Sequence, residues 1–549
     1  MLTAHSTRHL CPGSGGRWVV RVTLYLLRED AKLVKEILRK HEQYQARALR
    51  EPNDPEAAWR LYVRTGVDVE AVWFKQVSLL LADGQNDRVL TKTAGAVLLI
   101  SAHGRIFAVT FGTGFHALSR SIIEPDFGLR VTANCVGADG LTMADARGLG
   151  KGKRNASSRL PLPGEVFALG LLTDEEWIRK FGGEVSVTGF AKTASGADAL
   201  QLNIEDFTLF ALPAKLKQVL DLYRSDDYQA IFPFLDYFRR VADKEMITAL
   251  DAEIASAMKK RDPEIGFASP DDFDLHSDEY LLAARRKSTR LVELRTDDVY
   301  RAVDDLNAWD DPLLKVKIAS YDLAGNVIRE REPLRSYVVG SATMPGAEGV
   351  RHYAVTAGAW FRVHPEYVEI VDRYLRDEVD DLTASLRLPA WDDDYLTANV
   401  EGNYGEERYN RHVSREQGHV LLDRDLYRGN AGEKVEICDL LTPDKKLICV
   451  KRMDGSDKLS HLFQQGSVSA QLIMANDDYR AKLMAAYRQI VPGGEFGSPS
   501  EWTVVYALAT GKPGDLKRIM YFFARAALKT HGTAIKGTGI KVALAKIDR

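Results

Sequence analysis

Lys451 and Arg452 close an apolar run, LICVKR, and lead into the loop MDGSDK, where Ser456 marks a helix start. Ser460 and His461 follow in the first turns of LSHLFQQGSVSAQLI. A helix N-terminus presents unpaired N–H groups and partial positive charge, so with a lysine beside it the start can hold a phosphate. The competing reading makes Ser456 an N-cap, Lys451 a solvated strand tip and His461 a packed or exposed ring. Alternation along a strand puts Cys449 and Lys451 on one face and Val450 on the other. The chemistry such a rim would serve is phosphodiester hydrolysis. That reaction needs a hard cation, held by carboxylates and water, to polarise the phosphoryl oxygen and activate water. A lysine alongside orients the water or stabilises the developing negative charge.

The elements that must position these groups fill residues 396–549. A helix is expected over EERYNRHVSRE, then strands at GHVLLDRDLY, KVEICDLL and LICVKR, with a turn at TPDKK. A helix runs from LSHLFQQGSVSAQLI through DYRAKLMAAYRQI, a strand follows at WTVVYALAT, a helix at GDLKRIMYFFARAALKT, and IKVALAKI is a last strand. Three strands close in sequence predict a meander, and a strand reached through a helix predicts a parallel crossover. Residues 401–549 carry 23 Lys and Arg against 18 Asp and Glu, a net +5, leaving −8 for residues 1–400 out of the total of −3. A basic module beside an acidic body is a footprint for phosphate backbone, or merely a solvated face.

The rest of the chain reads as α+β. A chain of 549 residues has room for several domains. The expected division is a disordered leader at 1–17, an α+β domain at 18–261, a middle α+β region at 262–395 and an α/β domain at 396–549. Strands are expected at WVVRVTLYLL, VSLLLADG, AGAVLLISAHG and RIFAVTFGTG; helices at 29–49, in LPAKLKQVLDLYRSDDYQAIFPFLDYFRRV and at KEMITALDAEIASAMKKR; and a loop at 141–165. An acidic stretch at 262–278 looks like a boundary. Strands at LLKVKIASYD and HYAVTAGAWFRV precede a helix over 365–386, which Pro389 and the mutually repelling Asp392, Asp393 and Asp394 should stop.

Several function classes fall away. No run approaches the 18 apolar residues of a membrane span. Cys11, Cys135, Cys438 and Cys449 include no C-x-x-C pair, so neither a disulfide framework nor a zinc site is indicated, and a reducing, cytoplasmic compartment fits. FGTGF lacks the third glycine of a dinucleotide fingerprint and reads as a turn; GLGKGKRN is not a P-loop. Glu124 and Asp126 either pair with basic groups or shape a turn.

The stretch EICDLLTPDKKLICVKRMDGSDKLSHLFQQGSVSAQLI, with FAVTFGTGFHAL, IEPDFGLRV and KVALAKI, resembles a sporadically distributed bacterial protein family of unknown function over most of the chain from about residue 20. That resemblance implies mobile or defence loci. The C-terminal order α-β-β-β-α-β is also similar to the restriction-endonuclease-like PD-(D/E)XK fold. This second resemblance implies an acidic residue on the second core strand, here Asp439, and Lys451 as the lysine of the third. It implies a helix glutamate, Glu406 or Glu407, completing the site, with Gln464 or Gln465 facing the same edge. Asp439 and Glu407 would hold Mg²⁺ or Mn²⁺, and Arg452, Ser456, Ser460 and Gln465 would contact phosphate. Cys449 departs from the pattern, because a thiol is a poor Mg²⁺ ligand where a carboxylate belongs. Plain structural roles compete: Asp439 as a turn cap, Glu406 and Glu407 as first-turn acids favoured by the helix dipole.

Three functions follow as expectations. The first is a metal-dependent nuclease acting on DNA or RNA. The second is an inactive nucleic-acid-binding relative. The third is a protein-interaction or toxin-like component.

Overall fold

A computed structural model describes residues 19–549 apart from 32, 40, 50–57, 67, 71–89, 93, 149–154, 172, 174–175, 271–276, 323–326, 347–348, 424 and 429–433. Mixed helices and several sheets make up two compact units. Of the described residues, the first holds those in 19–148, 155–236 and 321–327, the second those in 237–320 and 328–549.

A ten-stranded sheet dominates the first unit. The expected hairpin forms from Gly95–Ala102 and Arg105–Gly112. His103 and Gly104 at its turn both take positive φ, 52° and 74°, the backbone twist that suits two-residue hairpins. Leu24, Phe107, Phe181, Leu200 and Leu202 meet the helix Phe127–Cys135 in the core. Gly128 permits that approach, since a Cβ there would fall 2.0 Å from the Ala199 carbonyl oxygen.

Two expectations here are corrected. Residues 29–49 do not form one helix. They give a single turn at Val34–Ile37, a 3₁₀ turn at His41–Gln43 and a strand at Gln45–Arg47. Arg39 N–H donates to Ala117 O and Ser119 N–H to Ile37 O, so pairing with a distant segment outweighs local helix propensity. Nor is 141–165 a loop: Val136–Gly148 and Asn155–Gly164 pair as antiparallel strands, which satisfies their backbone despite a Gly- and Ser-rich composition. Most of GLGKGKRN, and all of VSLLLADG, lie outside the described residues. FGTGF turns through a 3₁₀ helix at Thr113–Ala117. Glu124 accepts from Arg105 at 3.1 Å. Helix Leu212–Arg224 is shorter than its long apolar pattern and gives way to 3₁₀ turns.

The helix Lys244–Lys259 and the strands Lys317–Tyr321, Gly349–Thr356 and Ala359–Val363 lie where the pattern puts them. Within the acidic stretch, Gly266–Phe267 pairs with Val338–Val339. Helix α1, Pro365–Glu378, ends earlier than expected. Val379 turns extended so that strand β1, Asp380–Asp381, can join a sheet, and a short helix follows at Thr383–Leu386. Two of the three aspartates that should repel are separately engaged. Asp392 caps helix α2, Asp393–Asn399, by accepting Tyr395 N–H at 2.9 Å. Asp393 accepts from Trp391 Nε1 at 2.8 Å and Arg549 at 2.9 Å.

Then come helix α3 (Gly405–Gln417), strands β2 (Val420–Leu421), β3 (Leu440–Leu441) and β4 (Lys446–Arg452), and helices α4 (Ser456–Ala475) and α5 (Asp477–Ile490). Strand β5 (Thr503–Thr510), helix α6 (Phe522–Gly537) and strand β6 (Lys541–Asp548) end the chain. The sheet order is β1-β6-β5-β4-β3-β2. The meander β2-β3-β4 is antiparallel, whereas β4 with β5 and β5 with β6 are parallel, as helical crossovers require. Val450, Val505, Ala507, Ala545 and Ile547 pack one face against Trp391, Tyr409 and Val413, with Trp391 stacked on Tyr409 at 4.5 Å. The first two strands are shorter than the apolar runs suggest. Tyr427–Arg428 and Lys434–Val435 peel off as a separate ribbon, and residues 436–439 leave the ladder. Among the described residues no helix is long and apolar enough to cross a membrane.

Candidate functional site

The departure of 436–439 from the sheet builds the site. This segment is clamped from behind: Ser469 Oγ donates to Ile437 O at 2.8 Å and Tyr479 Oη to Glu436 O at 3.1 Å. Asp439 N–H donates to Ile448 O at 3.0 Å, while the Asp439 carbonyl accepts from Leu422 and Asp423 N–H at 2.8 and 3.2 Å. Its carboxylate accepts Val450 N–H at 2.6 Å. Asp439 is thus fixed on both sides by strands it does not extend.

Asp423 follows β2, and its carboxylate accepts from Tyr404 Oη at 3.4 Å and Asn410 Nδ2 at 3.3 Å. Asp423, Glu436 and Asp439 place one oxygen each within 4.8 Å of one another. Among the described residues no Lys, Arg or His pairs with Asp423 or Asp439. Burial pushes the Asp439 carboxyl well above the usual range, with Glu436, Asp423 and Glu406 adding repulsion and only Val450 N–H opposing. At the adjoining rim, Lys451 Nζ donates to Glu406 Oε2 at 2.7 Å, both side chains being half-buried.

The structure therefore brings Asp439, Lys451 and Glu406 into one neighbourhood and sends the other candidates elsewhere. Glu407 is not a partner of Asp439. Its carboxylate accepts from Asn403 N–H at 3.0 Å and from Arg411 at 2.9 Å, and these hold its pKa below the usual value. Arg452 faces Asp454 at 3.1 Å and Asp393 at 3.8 Å, within a network that includes Arg549. Gly455, at φ 130°, is the N-cap of α4, so Ser456 is its first helical residue rather than its cap; the Ser456 side chain lies outside the described residues. Ser460 Oγ is buried without a hydrogen-bond partner among the described residues. His461, Gln464 and Gln465 are exposed.

Cys449 is 6% exposed. Burial pushes its thiol well above the usual range, and Asp439 and Glu436 push it further, so it stays protonated. A thiol is also a poor ligand for a hard cation such as Mg²⁺. The acids around it offer oxygen only, the donor set of Mg²⁺ or Mn²⁺. Sequence reasoning missed Asp423 and Glu436. Read as continuous strand, KVEICDLL puts Glu436 and Asp439, three residues apart, on opposite faces; once the ladder breaks after Val435 that rule no longer applies.

No curated protein matches this chain. The chain matches the family of unknown function DUF6119 over residues 22–548, and it belongs to that family.

Proposed function

We propose that this protein is a metal-dependent nuclease, cleaving phosphodiester bonds in DNA or RNA. One observation carries the reading: three carboxylates, Asp423, Glu436 and Asp439, converge within 4.8 Å beside the Lys451–Glu406 pair. A bound Mg²⁺ or Mn²⁺ would polarise a phosphoryl oxygen and lower the pKa of its water. The three carboxylates would hold the ion. Lys451, if released from Glu406, sits where it can meet the charge that develops on phosphate. The net +5 of residues 401–549 supports a polyanionic substrate, and a role in defence or mobile-element conflict is consistent with such an activity.

The test is cleavage of single- and double-stranded DNA and RNA by purified protein in Mg²⁺ and in Mn²⁺. Metal-dependent cutting that Lys451→Ala abolishes supports the proposal; intact substrates under every condition end it. Cys449, where the PD-(D/E)XK pattern has a carboxylate, favours a second reading, a protein that grips nucleic acid without cutting. Salt-sensitive binding indifferent to chelator would select it.

A further inference from the structure

Two arginines face one another at the edge of a five-stranded sheet. The edge strand Phe238–Arg240 pairs antiparallel with Ala359–Val363, which sets Arg239 directly opposite Arg362. Directly opposed side chains share a face, and like charges there repel. His364 N–H donates to Tyr237 O at 2.9 Å, so the ladder continues and His364 falls on the same face, two residues beyond Arg362. Arg239, Arg362, His364 and Pro365 line one cavity of about 190 Å³.

Arg362 is half-buried, and its Nε is buried with no hydrogen-bond partner among the described residues. Arg105, Arg130 and Arg525 bury Nε in the same way, but each meets a carboxylate through a terminal nitrogen: Glu124, Asp226 and Asp372. No described carboxylate pairs with Arg362. A buried donor left unmade calls for a specific explanation, an ion among them. His364 Nδ1 accepts Glu366 N–H at 3.4 Å, so a neutral ring carries its proton on Nε2 and offers a further donor. The start of α1 adds partial positive charge.

We propose that this cavity binds a phosphate-type oxyanion, either free inorganic phosphate or a phosphate of a polynucleotide, with Arg362 as its main ligand and Arg239 and His364 beside it. A guanidinium grips such an anion through two parallel N–H bonds, and the bound charge offsets the repulsion between the arginines. The volume is below the roughly 300–1,000 Å³ of sites for drug-sized molecules, which suits a single phosphoryl unit. The site goes beyond the nuclease reading and stands without its metal.

The experiment is isothermal titration of sodium phosphate into the full chain, in chelator and at fixed ionic strength. One phosphate should bind per chain. Arg362→Gln should weaken it about 10–100-fold, and Arg239→Gln should weaken it less. Arg415→Gln, which removes an exposed arginine on α3, should leave it unchanged. Wild-type affinity in Arg362→Gln overturns the proposal. Should that variant fail to fold, the exposed Arg239 decides, and wild-type affinity in Arg239→Gln overturns it. Thermal scans separate binding from packing. In chloride Arg362→Gln should melt no lower than wild type, since one of two opposed charges is gone, and phosphate should raise the Tm of wild type alone. Equal loss of Tm in both salts makes Arg362 a packing residue and overturns the proposal. An oligonucleotide with a 5′-hydroxyl distinguishes the sources: displacement of phosphate assigns the site to a polynucleotide, and retention assigns it to the free ion. Arg362-dependent binding of neither ends the proposal and leaves metal-dependent cleavage standing.

Discussion

The backbone N–H of Val450 donates to the side chain of Asp439 at 2.6 Å, so a carboxylate replaces the ladder bond that β3 would have made to β4. An asparagine can accept the same bond. Asp439→Asn should therefore fold, and in chelator it should match or exceed wild-type stability by up to about 1 kcal/mol, because one of three crowded like charges is gone. With Mn²⁺ added, wild type should gain Tm and the variant should not. A thermal scan with and without metal reads both halves.

Lys451 and Glu406 are half-buried, so their pair is screened by water and should contribute modestly. Lys451→Ala is expected to cost about 1 kcal/mol in urea unfolding and to remove all nucleic-acid cleavage. Activity that survives Lys451→Ala would assign the lysine a purely structural role.

A tight packing contact lies behind the site. A Cβ on Gly466 of α4 would sit 2.3 Å from Tyr506 Oη, which itself donates to Phe463 O at 2.9 Å. Gly466→Ala should destabilise by about 1–3 kcal/mol, overpacking outweighing the better helix former. In a Tyr506→Phe background the nearest atom is absent, but ring carbons Cζ and Cε1 remain 2.8 and 2.9 Å from the added Cβ, so the same alanine should cost less without becoming stabilising. A double-mutant cycle measures that coupling.

Acid should weaken the second unit through His352. Its ring stacks on Phe522 at 4.8 Å, and its Nε2 lies 3.5 Å from Arg525, which also pairs with Asp372. Burial, then the Arg525 charge, lower its pKa to about 4. Folded protein keeps the ring neutral while the unfolded chain protonates near pH 6.5. The contribution is full above pH 6.5 and is lost as pH falls toward 4, with a ceiling of about 3 kcal/mol. Urea melts at pH 7 and pH 4.5 should show a smaller difference for His352→Phe than for wild type.

Where apolar periodicity was strong, sequence and structure agree: the buried strand LICVKR, the parallel crossovers to WTVVYALAT and IKVALAKI, and the helix at EERYNRHVSRE. Residues 29–49 and 141–165 went the other way because their backbones find partners far along the chain, which local propensity does not register. The site was half legible. Asp439 and Lys451 were singled out by the resemblance, and so was the pair Glu406 or Glu407. Glu407 and Glu406 are adjacent acids in one first turn, and only packing tells that one faces Lys451 and the other Arg411. Asp423 and Glu436 could not be placed, since their convergence depends on where two short strands stop.

Strand β1 lies well ahead of the meander in sequence, yet it lines the outer side of the last strand. Asp380 and Asp381 run beside Ala543 and Leu544, Leu382 N–H donates to Leu544 O at 2.8 Å, and Lys546 N–H donates to Thr383 Oγ1 at 2.9 Å. A fragment cut at residue 396 would strip this cover and leave an open seam of unpaired amides and carbonyls along β6, inviting self-association. A fragment beginning before Pro365 keeps the seam closed, so this six-stranded sheet is best excised with its preceding helix attached.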